Sequence, residues 1–145
     1  MINNILVLCI GNICRSPMAE GLLRQALPDK TVHSAGLGAL VGQAADPFSM
    51  RIMQEQGIDI STHRARALLA PMVSAADLIL TMDLDQKRHV EARFLGSKGK
   101  VFRLGEFRKY DIGDPYRQSF EDFRKSYLLI ADGVEDILGR LANMG

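Results

Sequence analysis

Two largely apolar runs stand out in the chain, Ile5-Leu6-Val7-Leu8 and Leu78-Ile79-Leu80-Thr81-Met82. Neither alternates with polar residues, which is the pattern of parallel strands covered on both faces. Thr31-Val32-His33-Ser34-Ala35 and Val101-Phe102-Arg103-Leu104 read as two more strands. Helical patterns separate them. Ser16 and Pro17 suit the N-cap and first position of a helix with Leu22, Leu23, Ala26 and Leu27 on its apolar side, ended by Pro28-Asp29-Lys30. A full capping box is missing there, because Ala19 stands where Glu20 would be needed. Asp46-Pro47 starts a helix that runs to about Gln56, with Gly57 as its C′ residue. Leu68 to Ala75 has the composition of a short helix interrupted by Pro71, and Asp83 can cap a helix from Leu84 to about Phe94.

Gly36 to Gly42 is a glycine-punctuated loop, Ser61 to Arg66 a basic one, and Gly96 to Gly99 a turn. Gly105 to Gln118 has no periodicity and reads as a long loop. Ser119 with Asp122 resembles a capping box, and Phe120, Phe123, Tyr127, Ile130, Val134, Ile137 and Leu141 mark one face of a long final helix. Strands alternating with helices imply one three-layer α/β domain over residues 1–145. Ligands in such sheets bind beyond the carboxyl ends of the strands.

Composition narrows the class without naming a ligand. A formal net charge of +1 gives no electrostatic argument for nucleic acid or a membrane surface. No apolar run approaches bilayer length, and the N-terminal run has no basic residue ahead of it, so a cytoplasmic location is expected. Both cysteines fall in one eight-residue stretch, Cys9-Ile10-Gly11-Asn12-Ile13-Cys14-Arg15-Ser16, between the first strand and the first helix. A disulfide closing so small a ring would staple little of the fold.

That stretch has the inventory for holding and attacking a phosphate. Backbone N–H groups at a helix N-terminus supply donors. Gly11 allows the backbone to curl inward. Arg15 offers a planar fork to two phosphate oxygens. The same positive field favours the thiolate form of Cys9. With two cysteines and twelve arginines, Cys-x5-Arg arises by chance about once in six such chains, and the following serine lowers this to about one in a hundred. A buried Cys9 with an unrelated surface Arg15 is therefore an improbable account.

The loop resembles that of the low-molecular-weight protein tyrosine phosphatases. The similarity extends to Ser34-Ala35-Gly36, Asp46-Pro47, His63-Arg64-Ala65-Arg66, Thr81-Met82-Asp83 and above all Asp114-Pro115-Tyr116. Gly36-Leu37-Gly38-Ala39-Leu40-Val41-Gly42 looks most like the bacterial members found beside capsule and exopolysaccharide tyrosine kinases. The resemblance implies a four-stranded parallel sheet of order 2-1-3-4 and hydrolysis of phosphotyrosine through a cysteinyl phosphate. It makes Cys9 the nucleophile, Arg15 the phosphate grip and Asp114 the general acid. It implies neither metal nor cofactor.

From the residues alone, Asp114-Pro115 is equally an ordinary turn. Asn12 suits a left-handed loop position, and Ser16 can face the Cys9 sulfur, cap the helix, or do both. The resemblance implies that Asn12, Ser16, Ser34 and His63 hold the loop in shape, with His63 paired to Glu20. It also implies that Cys14 can form a disulfide with Cys9 on oxidation; a small buried filler is the alternative. Leu40 and Tyr116 are the expected walls of a substrate slot. Arg64, Arg66 and Arg117 either attract an acidic phosphopeptide or are simply solvated. His33 and His89 are read as ordinary histidines.

The expected partner is a phosphotyrosine protein, a membrane tyrosine kinase's cytoplasmic tail by resemblance, and a monomer suffices. Three alternatives compete with this reading. Arsenate reduction needs further cysteines, and none follows Cys14. Phosphoarginine phosphatases of the same family usually carry threonine where this chain has Ile13. A non-catalytic phospho-ligand module needs neither a nucleophile nor an acid.

Overall fold

The computed structural model describes residues 1–144. Strand β1, Asn4–Cys9, lies at the centre of the sheet. Its neighbours are β2, Thr31–Gly36, and β3, Leu78–Thr81, and β4, Val101–Arg103, pairs with β3. All pairings are parallel and the order is β2-β1-β3-β4, as expected from the sequence. In β1, Ile5, Val7 and Cys9 join one core cluster, while Leu6 and Leu8 join the other. A strand covered on both faces has no polar side to show, which is why its sequence is continuous rather than alternating.

Helices α1, Arg15–Ala26, α2, Pro47–Glu55, and α5, Phe120–Met144, pack on the Ile5–Val7 side. Helices α3, Ala70–Ala75, and α4, Leu84–Arg93, cover the Leu6–Leu8 side, with Val73 and Val90 in that core. The apolar stripe of α5 buries Phe123, Tyr127, Ile130, Val134 and Ile137. Full burial of such a side chain contributes about 1.5–3 kcal/mol, so this stripe is what docks the helix.

The expected start and stop signals operate locally. Asp46 accepts from the Phe48 N–H, Asp83 accepts from the Gln86 N–H, and Gly57 takes the left-handed φ of +75° that a C′ residue needs. Ser119 Oγ accepts from the Asp122 N–H while Asp122 Oδ2 accepts from the Ser119 N–H and hydroxyl. Pro71 sits in the first turn of α3, where its missing N–H costs nothing, so it opens that helix rather than breaking it. One assignment changes. Helix α1 begins at Arg15, its N-cap residue is Cys14, and no side chain caps it. Ser16 is already helical, and its hydroxyl is turned to Cys9 instead.

Candidate active site

The segment from Ile10 to Cys14 leaves the carboxyl end of β1 and enters α1 at the point where the sheet order reverses between β1 and β3. Its carbonyls are all engaged from outside. Those of Ile10 and Gly11 accept from the Gly38 and Leu40 N–H groups at 2.9 and 3.0 Å. Ile13 O accepts from the Asp46 N–H at 2.8 Å, and Cys14 O from the Ser49 hydroxyl at 3.0 Å. His63 Nε2 donates to the Asn12 carbonyl at 2.6 Å. By contrast, the amides of Gly11, Asn12, Ile13 and Cys14 donate to no group among the described residues. Asn12 has φ of +59°, the left-handed step that turns successive N–H groups toward one concavity. A ring of unspent donors at a helix N-terminus is a receptor for an oxyanion.

Cys9 lies beneath this ring and is 2% exposed. Its Sγ is 2.9 Å from Ser16 Oγ and 3.5 Å from the Ser16 N–H. Both groups can donate to the sulfur. Arg15, equally buried, donates from Nη1 to the Ile112 carbonyl at 2.7 Å, and its Nη2 lies 3.7 Å from Asp114 Oδ2. Its Nε is buried and makes no hydrogen bond among the described residues. Part of the guanidinium therefore orients the side chain while another donor is left for a ligand. Cys14 behaves differently from Cys9. Burial, then the nearby Asp46 carboxylate, pushes its thiol well above the ordinary range, so it stays neutral.

The support residues form one connected network. Asn12 Nδ2 donates to Ser16 Oγ at 2.8 Å and to Ser34 Oγ at 3.0 Å. Ser34 Oγ donates to Glu20 Oε1 at 2.5 Å. His63 Nδ1 is 3.8 Å from the same carboxylate oxygen, beyond hydrogen-bond reach, so its firm contact is with the loop carbonyl rather than with Glu20.

Arg66 and His33, to which the sequence assigns no part in holding the loop, belong to this scaffold. The Arg66 N–H donates to Asn12 Oδ1 and its Nε to the Ser34 carbonyl, at 3.0 and 2.9 Å. Arg66 Nη2 donates to His33 Nδ1 at 2.6 Å. Burial and the adjacent Arg66 charge lower the His33 pKa, which keeps that nitrogen free to accept. Arg66 is thus a brace for the loop, unlike Arg64, which is exposed and bonds only backbone carbonyls of its own segment. Neither role of Arg66 nor that of His33 had a signal in sequence, since both depend on β2 lying beside the Ala65 segment.

A cavity of about 130 Å³ opens over the loop. It brings together Cys9, Ile13 and Arg15 at the loop, Leu40 and Gly38 from the glycine-rich segment, and Asp114 with Tyr116. Leu40 and Tyr116 line this cavity together with Ile10, which is 43% exposed. Asp114 Oδ1 accepts from the Tyr116 N–H at 3.1 Å, an Asx turn that fixes its side chain, which is 45% exposed. Arg117 takes a φ of +63° and its guanidinium lies over the Tyr116 ring, 5.2 Å from the centroid. A larger open cleft of about 620 Å³ runs past Glu20, Arg24, Ile58 and His63, and holds neither thiol.

Comparisons with known proteins agree with this geometry. Residues 4–144 match the family model described as low molecular weight phosphotyrosine protein phosphatase. The chain is 51% identical over 145 residues, the whole of both proteins, to a probable low molecular weight protein-tyrosine-phosphatase, EpsP, of Ralstonia nicotianae. It is similar to the structure of Vibrio vulnificus Wzb in complex with benzylphosphonate, with a TM-score of 0.92, 36% identity, and coverage of 97% of this chain and 99% of that one. It also resembles the YwlE arginine phosphatase of Geobacillus stearothermophilus, with a TM-score of 0.91, 32% identity, and coverage of 98% and 94%. The free amide ring, the thiol beneath it and a match over nearly the full length lead to one conclusion: this chain belongs to the low molecular weight phosphotyrosine protein phosphatase family.

Proposed function

We propose that this enzyme hydrolyses phosphotyrosine in proteins by way of a phosphate ester on Cys9, with Arg15 and Asp114 as its other catalytic residues. The observation that carries the reading is the ring of unspent amides above Cys9 Sγ, with the free Nε of Arg15 beside it. In the first step the Cys9 thiolate attacks phosphorus, the phosphorus–oxygen bond to the tyrosine breaks, and the Asp114 carboxyl gives its proton to the departing phenol oxygen. In the second, water attacks the cysteinyl phosphate, Asp114 takes the water's proton, and the sulfur–phosphorus bond breaks to return the thiolate. The loop amides and Arg15 hold the equatorial oxygens through both transition states. Asn12, Ser16, Ser34, Glu20 and His63 keep the ring in shape.

The slot supports an aromatic ester. Leu40, Ile10 and Tyr116 offer apolar surface to a flat ring above the loop. Ile13 lines the same cavity and brings no hydroxyl to meet a guanidine-type leaving group, which disfavours phosphoarginine. EpsP, named above as a probable tyrosine phosphatase, and the benzylphosphonate held by Vibrio vulnificus Wzb support an aromatic ester as the substrate. The resemblance to the exopolysaccharide and capsule branch points to the cytoplasmic tail of a membrane tyrosine autokinase as the partner. No described helix is long and apolar enough to cross a membrane, and one chain supplies every residue of the site, consistent with a monomer in the cytoplasm.

The test is a parallel assay on matched phosphotyrosine, phosphoserine and phosphoarginine peptides, run with the wild type and Cys9→Ser. Phosphotyrosine turnover is expected to dominate, and Cys9→Ser to retain oxyanion binding with no turnover. Faster phosphoarginine release would replace the substrate assignment, and an active Cys9→Ser enzyme would exclude the covalent route.

A further inference from the structure

The segment that carries Asp114 hangs on a charge pair that touches no substrate. Arg103 closes β4, and its side chain is only 10% exposed. Its Nη1 donates to Asp111 Oδ1 at 3.0 Å. Glu106 lies 3.8 Å from Nη2, too far for a hydrogen bond, and Arg103 Nε makes none among the described residues. Asp111 is therefore the hydrogen-bonded counter-charge of a nearly buried guanidinium. The bond joins a nearly buried guanidinium to a half-exposed carboxylate, so its contribution is one of orientation more than of stability.

The three residues before Asp114 are each anchored to a different part of the fold. Asp111 is held by β4 through Arg103, and its Oδ1 also accepts from the Leu84 N–H at 3.3 Å. The Ile112 N–H donates to the Met82 carbonyl at 2.9 Å, just past β3. Gly113 O accepts from Ser126 Oγ of α5 at 2.9 Å. Among these anchors only the first joins two charged side chains. It sits three residues from the acid, close enough that a small shift there is felt at the carboxyl group. A displacement of about 1 Å at a reacting group can cost roughly a hundredfold in rate.

We propose that Arg103 and Asp111 form a positioning pair that sets where the Asp114 carboxyl meets the leaving-group oxygen. The proposal rests on the reading of Asp114 as the general acid. Breaking the pair then impairs proton delivery while leaving the phosphate receptor intact. Poor leaving groups suffer and good ones do not, because nitrophenolate departs with little need of a proton.

The experiment measures kcat/KM on p-nitrophenyl phosphate and phenyl phosphate for the wild type, Asp111→Ala, Arg103→Met, Asp114→Asn and Asp111→Ala/Asp114→Asn, with inhibition by inorganic phosphate alongside. Alanine is used at 111 because an asparagine oxygen would still accept from Arg103. The preference for the nitrophenyl ester is expected to rise about tenfold in Asp111→Ala and Arg103→Met. Phosphate inhibition stays at the wild-type level, and Asp111→Ala adds nothing to the preference once Asp114 is Asn. Should Arg103→Met fail to fold, Asp111→Ala carries the test, since the Asp111 side chain is 54% exposed. If Asp114→Asn raises the preference and Asp111→Ala does not, the positioning pair alone is refuted. If Asp114→Asn leaves the preference unchanged, the acid assignment falls and takes the pair with it.

Discussion

Arg15 and Ile112 are 97 residues apart in sequence and are joined by a 2.7 Å hydrogen bond from the guanidinium Nη1 to the carbonyl oxygen. This bond ties the phosphate loop directly to the segment that carries Asp114. It also presets the guanidinium plane, since one edge is taken by Ile112 while Nε remains free. A preset fork gives up less side-chain entropy when the oxyanion arrives.

Lysine at position 15 should expose this dependence. An ammonium group keeps the charge but cannot serve the Ile112 carbonyl and two phosphate oxygens with one planar fork. Arg15→Lys is expected to lower kcat/KM by about 10²–10³-fold and to weaken phosphate inhibition. Steady-state kinetics with phosphate as a competitive inhibitor measures both. Near-normal turnover would mean that the amide ring alone stabilises the transition state.

Asn12 combines a conformation and a set of bonds that two substitutions can separate. It is fully buried, holds φ of +59°, and serves Ser16, Ser34 and Arg66 with its amide. Asn12→Gly keeps the left-handed turn and loses the bonds, whereas Asn12→Ala loses both. Chemical denaturation should find the alanine variant less stable than the glycine variant by about 1 kcal/mol, the left-handed cost of a Cβ. Both variants should bind phosphate more weakly than the wild type. Wild-type phosphate affinity in Asn12→Gly would show that the amide network is dispensable to the loop.

Cys14 makes stability fall at alkaline pH. Its thiol pKa is raised in the fold, by burial first and the Asp46 carboxylate second. Below the unfolded value of about 8.5 both states are protonated and its contribution is intact. Above it the unfolded chain releases a proton that the folded one keeps, so unfolding is favoured by up to about 1.4 kcal/mol per pH unit. Denaturation in reducing buffer from pH 7 to 10 should therefore show a shallower decline for Cys14→Ala than for the wild type. Parallel curves would rule out Cys14 as the source.

The ordinary elements were legible because their causes are local. The apolar runs of β1 and β3, the Asp46 and Asp83 caps, Gly57 and the Ser119–Asp122 pair each act over a few residues. Of the two roles the sequence leaves open to Ser16, the fold uses the one at the Cys9 sulfur and not the cap. A serine before proline suits a helix start, yet here the hydroxyl is worth more against the Cys9 sulfur, and the orphan amides of that helix start are kept for a ligand. The bracing role of Arg66 and its bond to His33 are not legible in the sequence, because a polar side chain shows there neither its burial nor its partner.

Sequence carried the loop from Cys9 to Ser16, the strand and helix that flank it, and the fold class, because residue spacing and backbone preference decide these within one short segment. It offered Asp114 only as one of 17 acidic residues, and resemblance, not spacing, chose it. Tertiary packing decided the rest. It brings the Ile112 carbonyl to Arg15 and Arg103 to Asp111, and, by setting β2 beside the Ala65 segment, Arg66 to Asn12. These contacts span 97, eight and 54 residues, and their distances exist only once the buried faces have fixed where each element sits.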